Sequence, residues 1–215
     1  MSNDHQLQAA VLAELLWEPS VTAAHVGVAA DDGVVTLTGH VENYFQKHAA
    51  EEAAARVKGV KAVAQELEVR IPGDARRSDE QIAHAAIDRL AWEVTVPKEA
   101  VKIEVQKGYV TLTGTVGRHF QKKAAERCIR GLYGVMGVSN HMVIKPQPNA
   151  TNISSDIDVA LHRSWFDPKT IRVTTDGGKV KLTGSVHTPG DRFRAGAAAW
   201  GSPGATMVEN DLVIA

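Results

Sequence analysis

Apolar residues recur along this chain first with a helical spacing and then in alternation with polar residues, and this succession occurs three times. In the helical part of each copy, apolar residues three or four positions apart share one face of a predicted helix. A proline follows each segment and ends the helix, because proline lacks an amide hydrogen. The predicted apolar faces are Leu7, Ala10, Val11 and Leu15; Ile82, Ala85, Ala86 and Leu90; and Ile157, Ala160, Leu161 and Trp165. The prolines are Pro19, Pro97 and Pro168.

Two alternating segments follow each helix, and alternation is the pattern of a strand with one buried face. Between them lie Asp32-Gly33, Lys107-Gly108 and Gly177-Gly178. Such pairs tolerate the positive φ angles of a tight hairpin turn, so a β-hairpin is predicted in every copy. The first strands contain Val26 and Val28, Val101 and Ile103, and Ile171 and Val173. The inward residues of the second strands are Val35 and Leu37, Val110 and Leu112, and Val180 and Leu182.

A second helix and a last strand are predicted after each hairpin. In the third copy, Pro189-Gly190 is expected to delay this helix and Gly201–Gly204 to end it early, so we predict a degraded helix there. The predicted helix stripes are Phe45, Ala49, Ala53 and Val57; Phe120, Ala124, Cys128 and Leu132; and Phe193, Ala197 and Trp200. The last strands contain Leu67, Val69 and Ile71; Met142 and Ile144; and Leu212 and Ile214.

The repeated unit is therefore αββαβ, and its sheet must cover an apolar face. We predict an α+β fold of three tandem modules, each a three-stranded mixed sheet covered on one face by two helices. The modules are expected at residues 4–72, 78–146 and 153–215, with polar, proline-containing linkers between them. Each module has roughly 70 residues, which is near the lower limit for a self-sufficient core.

Six glycines occupy equivalent places in the three copies. One set follows the second strand of the hairpin, and the other set comes twenty residues later. We predict structural roles for them, because glycine permits positive φ and close backbone approach. A nucleotide-binding loop would need a following Lys-Ser or Lys-Thr, which is missing here. The two sets are Gly39, Gly114 and Gly184, and Gly59, Gly134 and Gly204.

The order of elements, with the repeated phrase Gly-x-Val-x-Leu-Thr-Gly-x-Val and a later Gly-Val-x-x-Val, resembles the BON domain family. The later phrase is Gly59-Val60-Lys-Ala-Val63 in the first copy and Gly134-Val135-Met-Gly-Val138 in the second. The resemblance implies bacterial modules that bind phospholipid or membrane surfaces. Such modules occur in osmotically inducible periplasmic proteins, outer-membrane lipoproteins, secretins and channel-associated proteins, and the resemblance therefore implies a transport-associated or osmotic-stress context.

The distribution of charge directs attention to one helix. The chain has a net charge of -1, so it has no general electrostatic reason to bind nucleic acid. In the middle copy, however, the second helix is strongly basic. Its face is predicted to meet anionic phospholipid headgroups, and the alternative is an ordinary solvated helix face. The candidate lipid-binding residues are Arg118, Lys122, Lys123, Arg127 and Arg130, with His119 beside them.

No other chemistry emerges from the sequence. The nine histidines form no pair at a metal-binding spacing, and no cofactor is predicted. The single cysteine, Cys128, lies on a predicted apolar stripe and is expected to be a buried structural thiol. Trp17, Trp92 and Trp165 are expected to pack in the core or between modules.

These observations predict a non-enzymatic binding or scaffold protein that associates with anionic phospholipid or an envelope surface, in a stress-related role. The alternatives are an interaction or stress-protective scaffold that binds a protein or itself, and a sensor of a small ion or ligand. The first residues lack the basic cluster and apolar run of a secretory signal. The expected location is therefore cytoplasmic, or periplasmic if a signal was removed.

Overall fold

The structure is a computed structural model that describes residues 3–145, 152–163 and 170–214. The first copy consists of α1 (Asn3–Trp17), β1 (Val26–Asp31), β2 (Val34–Val41), α2 (Tyr44–Arg56), β3 (Ala62–Gln65) and β4 (Glu68–Val69). The second consists of α3 (Asp79–Ala91), β5 (Val101–Gln106), β6 (Tyr109–Val116), α4 (His119–Arg130), β7 (Gly137–Asn140) and β8 (Val143–Ile144). The third consists of α5 (Ile153–His162), β9 (Ile171–Asp176), β10 (Lys179–Val186), α6 (Pro189–Gly201) and β11 (Met207–Ile214).

Three mixed sheets confirm the predicted α+β fold of αββαβ modules. The central strand of the first sheet is β2, which pairs antiparallel with β1 and parallel with β3 and β4. The third sheet has the same plan, with β10 antiparallel to β9 and parallel to β11. The order of the second sheet is β5-β6-β7, with β8 also paired to β6. The last strand is thus interrupted in the first two copies and continuous in the third.

The hairpin turns confirm the prediction made from their sequences. The two turn residues have φ angles of 43° and 84° at Asp32-Gly33, and of 52° and 79° at Lys107-Gly108. The corresponding angles at Gly177-Gly178 are 52° and 90°. Two successive positive φ angles match the right-handed twist of the flanking strands, as in a type I′ turn.

The chain divides into two compact units. One extends to Arg89 and includes Ile103–Thr111 and Cys128–Ser139. The other includes Leu90–Lys102, Leu112–Arg127 and the described residues from Asn140 onwards. In the first unit, the core of the first copy is formed by fully buried Val11, Leu15, Val35, Leu37 and Leu67, among others. In the second unit, the core of the third copy has fully buried Ile157, Leu161, Leu182 and Leu212.

The predicted stripes of the second helices are only partly confirmed. Ala53 and Ala124 are buried as predicted, and Ala49, Val57 and Trp200 pack against their cores, but the phenylalanines that begin the stripes point outwards. A repeat of four residues advances about 40° beyond a full turn, so a long i, i+4, i+8 series leaves the buried face. The buried residues are Ala50, Ala53 and Ala54 in α2; Ala124, Ala125 and Ile129 in α4; and Ala195 and Ala199 in α6. Phe45, Phe120 and Phe193 are 50%, 57% and 79% exposed, and Cys128 is only half-buried.

The expectation of a degraded second helix in the third module is also wrong. The helix α6 has 13 residues, as α2 does. It begins at Pro189, where the missing amide hydrogen costs nothing because the first helical amides have no partner within the helix. The Thr188 side chain caps the helix by accepting a hydrogen bond from the Asp191 amide.

Two of the three tryptophans that were expected to pack in the core or between modules are on the surface. Trp17 is 85% exposed and Trp92 is 84% exposed, so the packing prediction is wrong for both. Trp165 and Pro168 lie outside the described residues, as do residues 146–151 of the second predicted linker.

Candidate functional site

The basic helix α4 is held at its start by a side chain of its own first turn. The Gln121 side-chain oxygen accepts hydrogen bonds from the amides of Gly117 and Arg118, each at 3.0 Å. These bonds fix the connection between β6 and α4. Because Ala124 and Ala125 are buried, the opposite side of the helix faces solvent.

Three side chains form the solvent side of this helix. Phe120, Lys123 and Arg127 are spaced i, i+3 and i+7, which places them on one face, and all three are exposed. We call these three residues the α4 face. It presents an aromatic ring and two cations together, on a backbone that is fixed at its first turn.

The other predicted lipid-binding residues lie elsewhere on the helix. Arg118 and Arg130 are half-buried near its two ends. Lys122 is half-buried too, and its ammonium donates a hydrogen bond of 2.8 Å to the Met142 carbonyl. The structure therefore brings together only Lys123 and Arg127 of the five predicted cations as exposed neighbours on one face.

The contact of Lys122 belongs to an arrangement found in all three copies. A basic residue of the second helix donates to a carbonyl of the last strand or of its interruption, and an amide side chain of the last strand donates back to the backbone carbonyl of that basic residue. We call this arrangement the helix–strand clamp. The helix-to-strand bonds are Lys47 to Leu67 at 2.6 Å, Lys122 to Met142 at 2.8 Å and Arg192 to Asn210 at 2.9 Å. The return bonds are Gln65 to Lys47 at 3.2 Å, Asn140 to Lys122 at 2.9 Å and Asn210 to Arg192 at 2.8 Å.

Sequence reasoning missed the clamp, although a signal for it was present. In every copy the strand amide follows the basic helix residue by 18 positions. Lys122 was predicted to be a lipid-binding surface charge, because periodicity alone does not show that a long side chain reaches a neighbouring strand.

His119 contributes no charge to the site at neutral pH. Burial is the main reason that its pKa falls to about 4, and the charges of Lys123 and Lys122 lower the pKa further. Glu126 acts in the opposite direction and does not offset them. The imidazole stacks on the Trp200 indole, with ring centroids 3.7 Å apart.

The corresponding face of the first copy also begins with a phenylalanine, but it ends in a carboxylate. Phe45, His48 and Glu52 occupy the positions of the α4 face, 75 residues earlier. Phe45 is 50% exposed and the Glu52 side chain 62% exposed, and the His48 ring lies 3.0 Å from the Glu52 carboxylate. We call these three residues the α2 face.

Backbone geometry accounts for glycine at five of the six predicted structural positions. Gly59 and Gly134 have positive φ angles of 97° and 87°, and Gly204 is buried. At the other three positions φ is also positive, and a side chain would collide with a backbone carbonyl. The collisions would be of Gly39 with His25, of Gly114 with Ala100 and of Gly184 with Thr170.

Within the described ranges, no three His, Cys, Asp or Glu side chains are close enough together to hold a metal ion. The His25 and His40 rings stack with centroids 4.6 Å apart, a pairing that the sequence analysis did not foresee. None of the helices that the structure describes is long and apolar enough to cross a bilayer.

Comparison with known proteins identifies the class of these modules. The BON domain family model matches residues 3–71, 78–146 and 149–215. The chain therefore belongs to the BON domain family, with three tandem copies of the domain.

One curated protein is similar to about two thirds of the chain. Osmotically-inducible protein Y of Escherichia coli strain K12 is 32% identical over 152 residues, which cover 66% of this chain and 73% of that protein. Two solved structures of CdsD, a structural protein of the type III secretion system of Chlamydia trachomatis, were also matched at 16% identity. One match covers 98% of this chain and 92% of that chain, and the other covers both completely; the TM-scores are 0.26 and 0.27.

Proposed function

We propose that this protein is a binding protein that adsorbs to anionic phospholipid surfaces through the α4 face. The observation that carries the proposal is the exposure of Phe120 beside Lys123 and Arg127 on one side of α4. A basic residue near an anionic bilayer contributes about 1 kcal/mol to binding. An aromatic side chain on the same face adds apolar contact with the region between headgroups and acyl chains.

The surroundings of α4 favour adsorption by a rigid helix. The Gln121 hydrogen bonds and the clamp between Lys122 and Asn140 hold the helix before any ligand arrives. Little conformational entropy is then lost on binding. Because His119 is neutral near pH 7, the attraction to anionic headgroups comes from Lys123 and Arg127. The strength of this attraction therefore does not change with pH near neutrality.

The cellular setting that we propose is osmotic or envelope stress. Its support is the likeness to a relative that is described as osmotically inducible. A reversible, charge-dependent adsorption suits such a setting, because its strength changes with ionic strength.

Sedimentation with vesicles tests the proposal. The full chain is mixed with vesicles of phosphatidylcholine alone or of phosphatidylcholine with phosphatidylglycerol, at low and high salt. We expect binding only to the anionic vesicles, and we expect it to weaken as salt rises. The double variant K123E/R127E should bind at least about tenfold more weakly, since each cation contributes about 1 kcal/mol.

A charge-matched control separates the α4 face from net charge. The double variant K98E/K102E changes the charge equally, in the same module, at two other exposed lysines. It should keep most of the binding. Equal binding by both double variants, or equal binding to neutral and anionic vesicles, would disprove the proposal.

A further inference from the structure

We infer that the α2 face of one molecule packs on the α4 face of a second molecule, so that copies of this chain associate head to tail. This association needs no lipid. The helices α2 and α4 have the same place in two copies of one fold.

The two faces have the same spacing between an aromatic ring and a charged group, and the two charged groups are opposite in sign. Each begins with an exposed phenylalanine, 50% exposed in α2 and 57% exposed in α4. Seven residues after it, α2 has a carboxylate and α4 a guanidinium. The paired positions are Phe45 and Phe120, His48 and Lys123, and Glu52 and Arg127.

Both charged groups are available to an incoming partner. The Glu52 side chain is 62% exposed, and Arg127 is exposed. Within the described residues, the salt bridge of Glu52 is to the His48 ring, which carries a charge only when it is protonated.

The spacing selects a parallel packing of the two helices. Seven residues span about 10 Å along a helix, so both faces have the same distance between ring and charge. Parallel packing brings Phe45 onto Phe120 and Glu52 onto Arg127 at the same time. Antiparallel packing would set Glu52 over the Phe120 ring and desolvate both charges without pairing them.

The net charges of the first and middle modules also favour contact between the first module of one molecule and the middle module of another. Residues 3–71 contain ten Asp and Glu against five Lys and Arg. Residues 78–146 contain seven Asp and Glu against ten Lys and Arg. Opposite net charges steer two such regions together and repel two like regions. The matched faces are small, so the association is transient. Because they are different surfaces, the contact is heterologous and leaves one face of each kind available in a pair of molecules.

Charge exchange tests this inference with the full chain. Analytical ultracentrifugation at low salt should give a mean mass that rises with protein concentration and falls when salt is added. E52R and R127E should each weaken association by about fivefold, because each places like charges opposite each other. An equimolar mixture of E52R and R127E should restore it, since each variant then meets its complement.

The outcomes separate this inference from the proposed function. E52R retains the α4 face, so it should lose self-association and still bind anionic vesicles. Restoration in the mixture also shows that both variants are folded. A mean mass that is independent of concentration, or a mixture that associates no better than its components, would overturn the inference, whatever the vesicle results.

Discussion

The imidazole of His119 lies almost parallel to the indole of Trp200, with an interplanar angle of 11° and centroids 3.7 Å apart. Among the described residues, no hydrogen-bond partner lies within reach of the buried Nδ1 atom of His119. A ring with a buried, unpaired nitrogen resists protonation, because the charged form would lose its hydration.

This contact predicts that the protein loses stability in acid. The pKa of His119 is about 4 in the folded protein and 6.5 in an unperturbed histidine. The free energy of unfolding should therefore be fully retained above pH 6.5 and should fall as the pH decreases from 6.5 to 4, where only the unfolded state takes up the proton. The expected loss is about 1–2 kcal/mol, which allows for the half-buried ring.

Thermal unfolding across this pH range measures the effect. H119F keeps a ring on Trp200 and removes the titration, so its melting temperature should vary less with pH. H84F is the matched control, because His84 is exposed on α3. The same pH profile for H119F and the wild-type protein would contradict this role of His119.

The helix–strand clamp predicts that Asn140 stabilises the fold. The variant N140A removes the bond to the Lys122 carbonyl and the bond of 3.2 Å that the Asn140 oxygen accepts from the Met142 amide. We expect a loss of about 1–3 kcal/mol in the free energy of unfolding, because polar backbone groups are left unpaired. Chemical denaturation should show this loss, whereas S139A, at the exposed neighbouring position, should be nearly neutral.

Gly39 should tolerate no side chain. Its φ angle is 103°, and an added Cβ would collide with the His25 carbonyl. We expect G39A to lower the free energy of unfolding by at least about 2 kcal/mol, as strain and overpacking add. In G73A the new methyl group meets nothing within 4 Å, so an unchanged denaturation midpoint is expected there. Equal stability of the two variants would show that the chain at Gly39 adjusts freely.

The cap of α6 should be worth a measurable part of the stability of the third module. Thr188 accepts a hydrogen bond from the Asp191 amide at 3.1 Å and donates one of 2.7 Å to the Asp191 carboxylate. T188A should therefore lose about 1 kcal/mol, which circular dichroism during urea denaturation would detect. S155A changes an exposed residue of α5 and serves as the control. An equal loss of stability in T188A and S155A would show that the Thr188 cap does not stabilise α6.

The hairpins were predictable because their turns are local. Two residues such as Lys107-Gly108 determine the φ angles, and alternation over a few positions determines the buried face. The phase of the second helices was not predictable from spacing alone. Phe120 and Ala124 both suit an apolar stripe, and only the close approach of helix and sheet selects the smaller residue.

The candidate site was predicted at the level of the helix and not of the individual cation. A basic segment was evident in the sequence, but Lys122 and Lys123 are indistinguishable there. Their roles differ because the Lys122 side chain reaches the Met142 carbonyl of a segment that is distant in the chain. Long-range contacts of this kind depend on the register of the last strand, which local periodicity does not specify.

The clamp has a consequence for how duplicated modules can diverge. In the clamp, positions 47, 122 and 192 stabilise the fold, whereas Glu52, Lys123 and Arg127 are exposed. Two substitutions on the outer side of the helix therefore suffice to exchange an acidic face for a basic one on the same scaffold. A gene that carries several such modules can thus acquire a new partner for one of them while the others keep theirs.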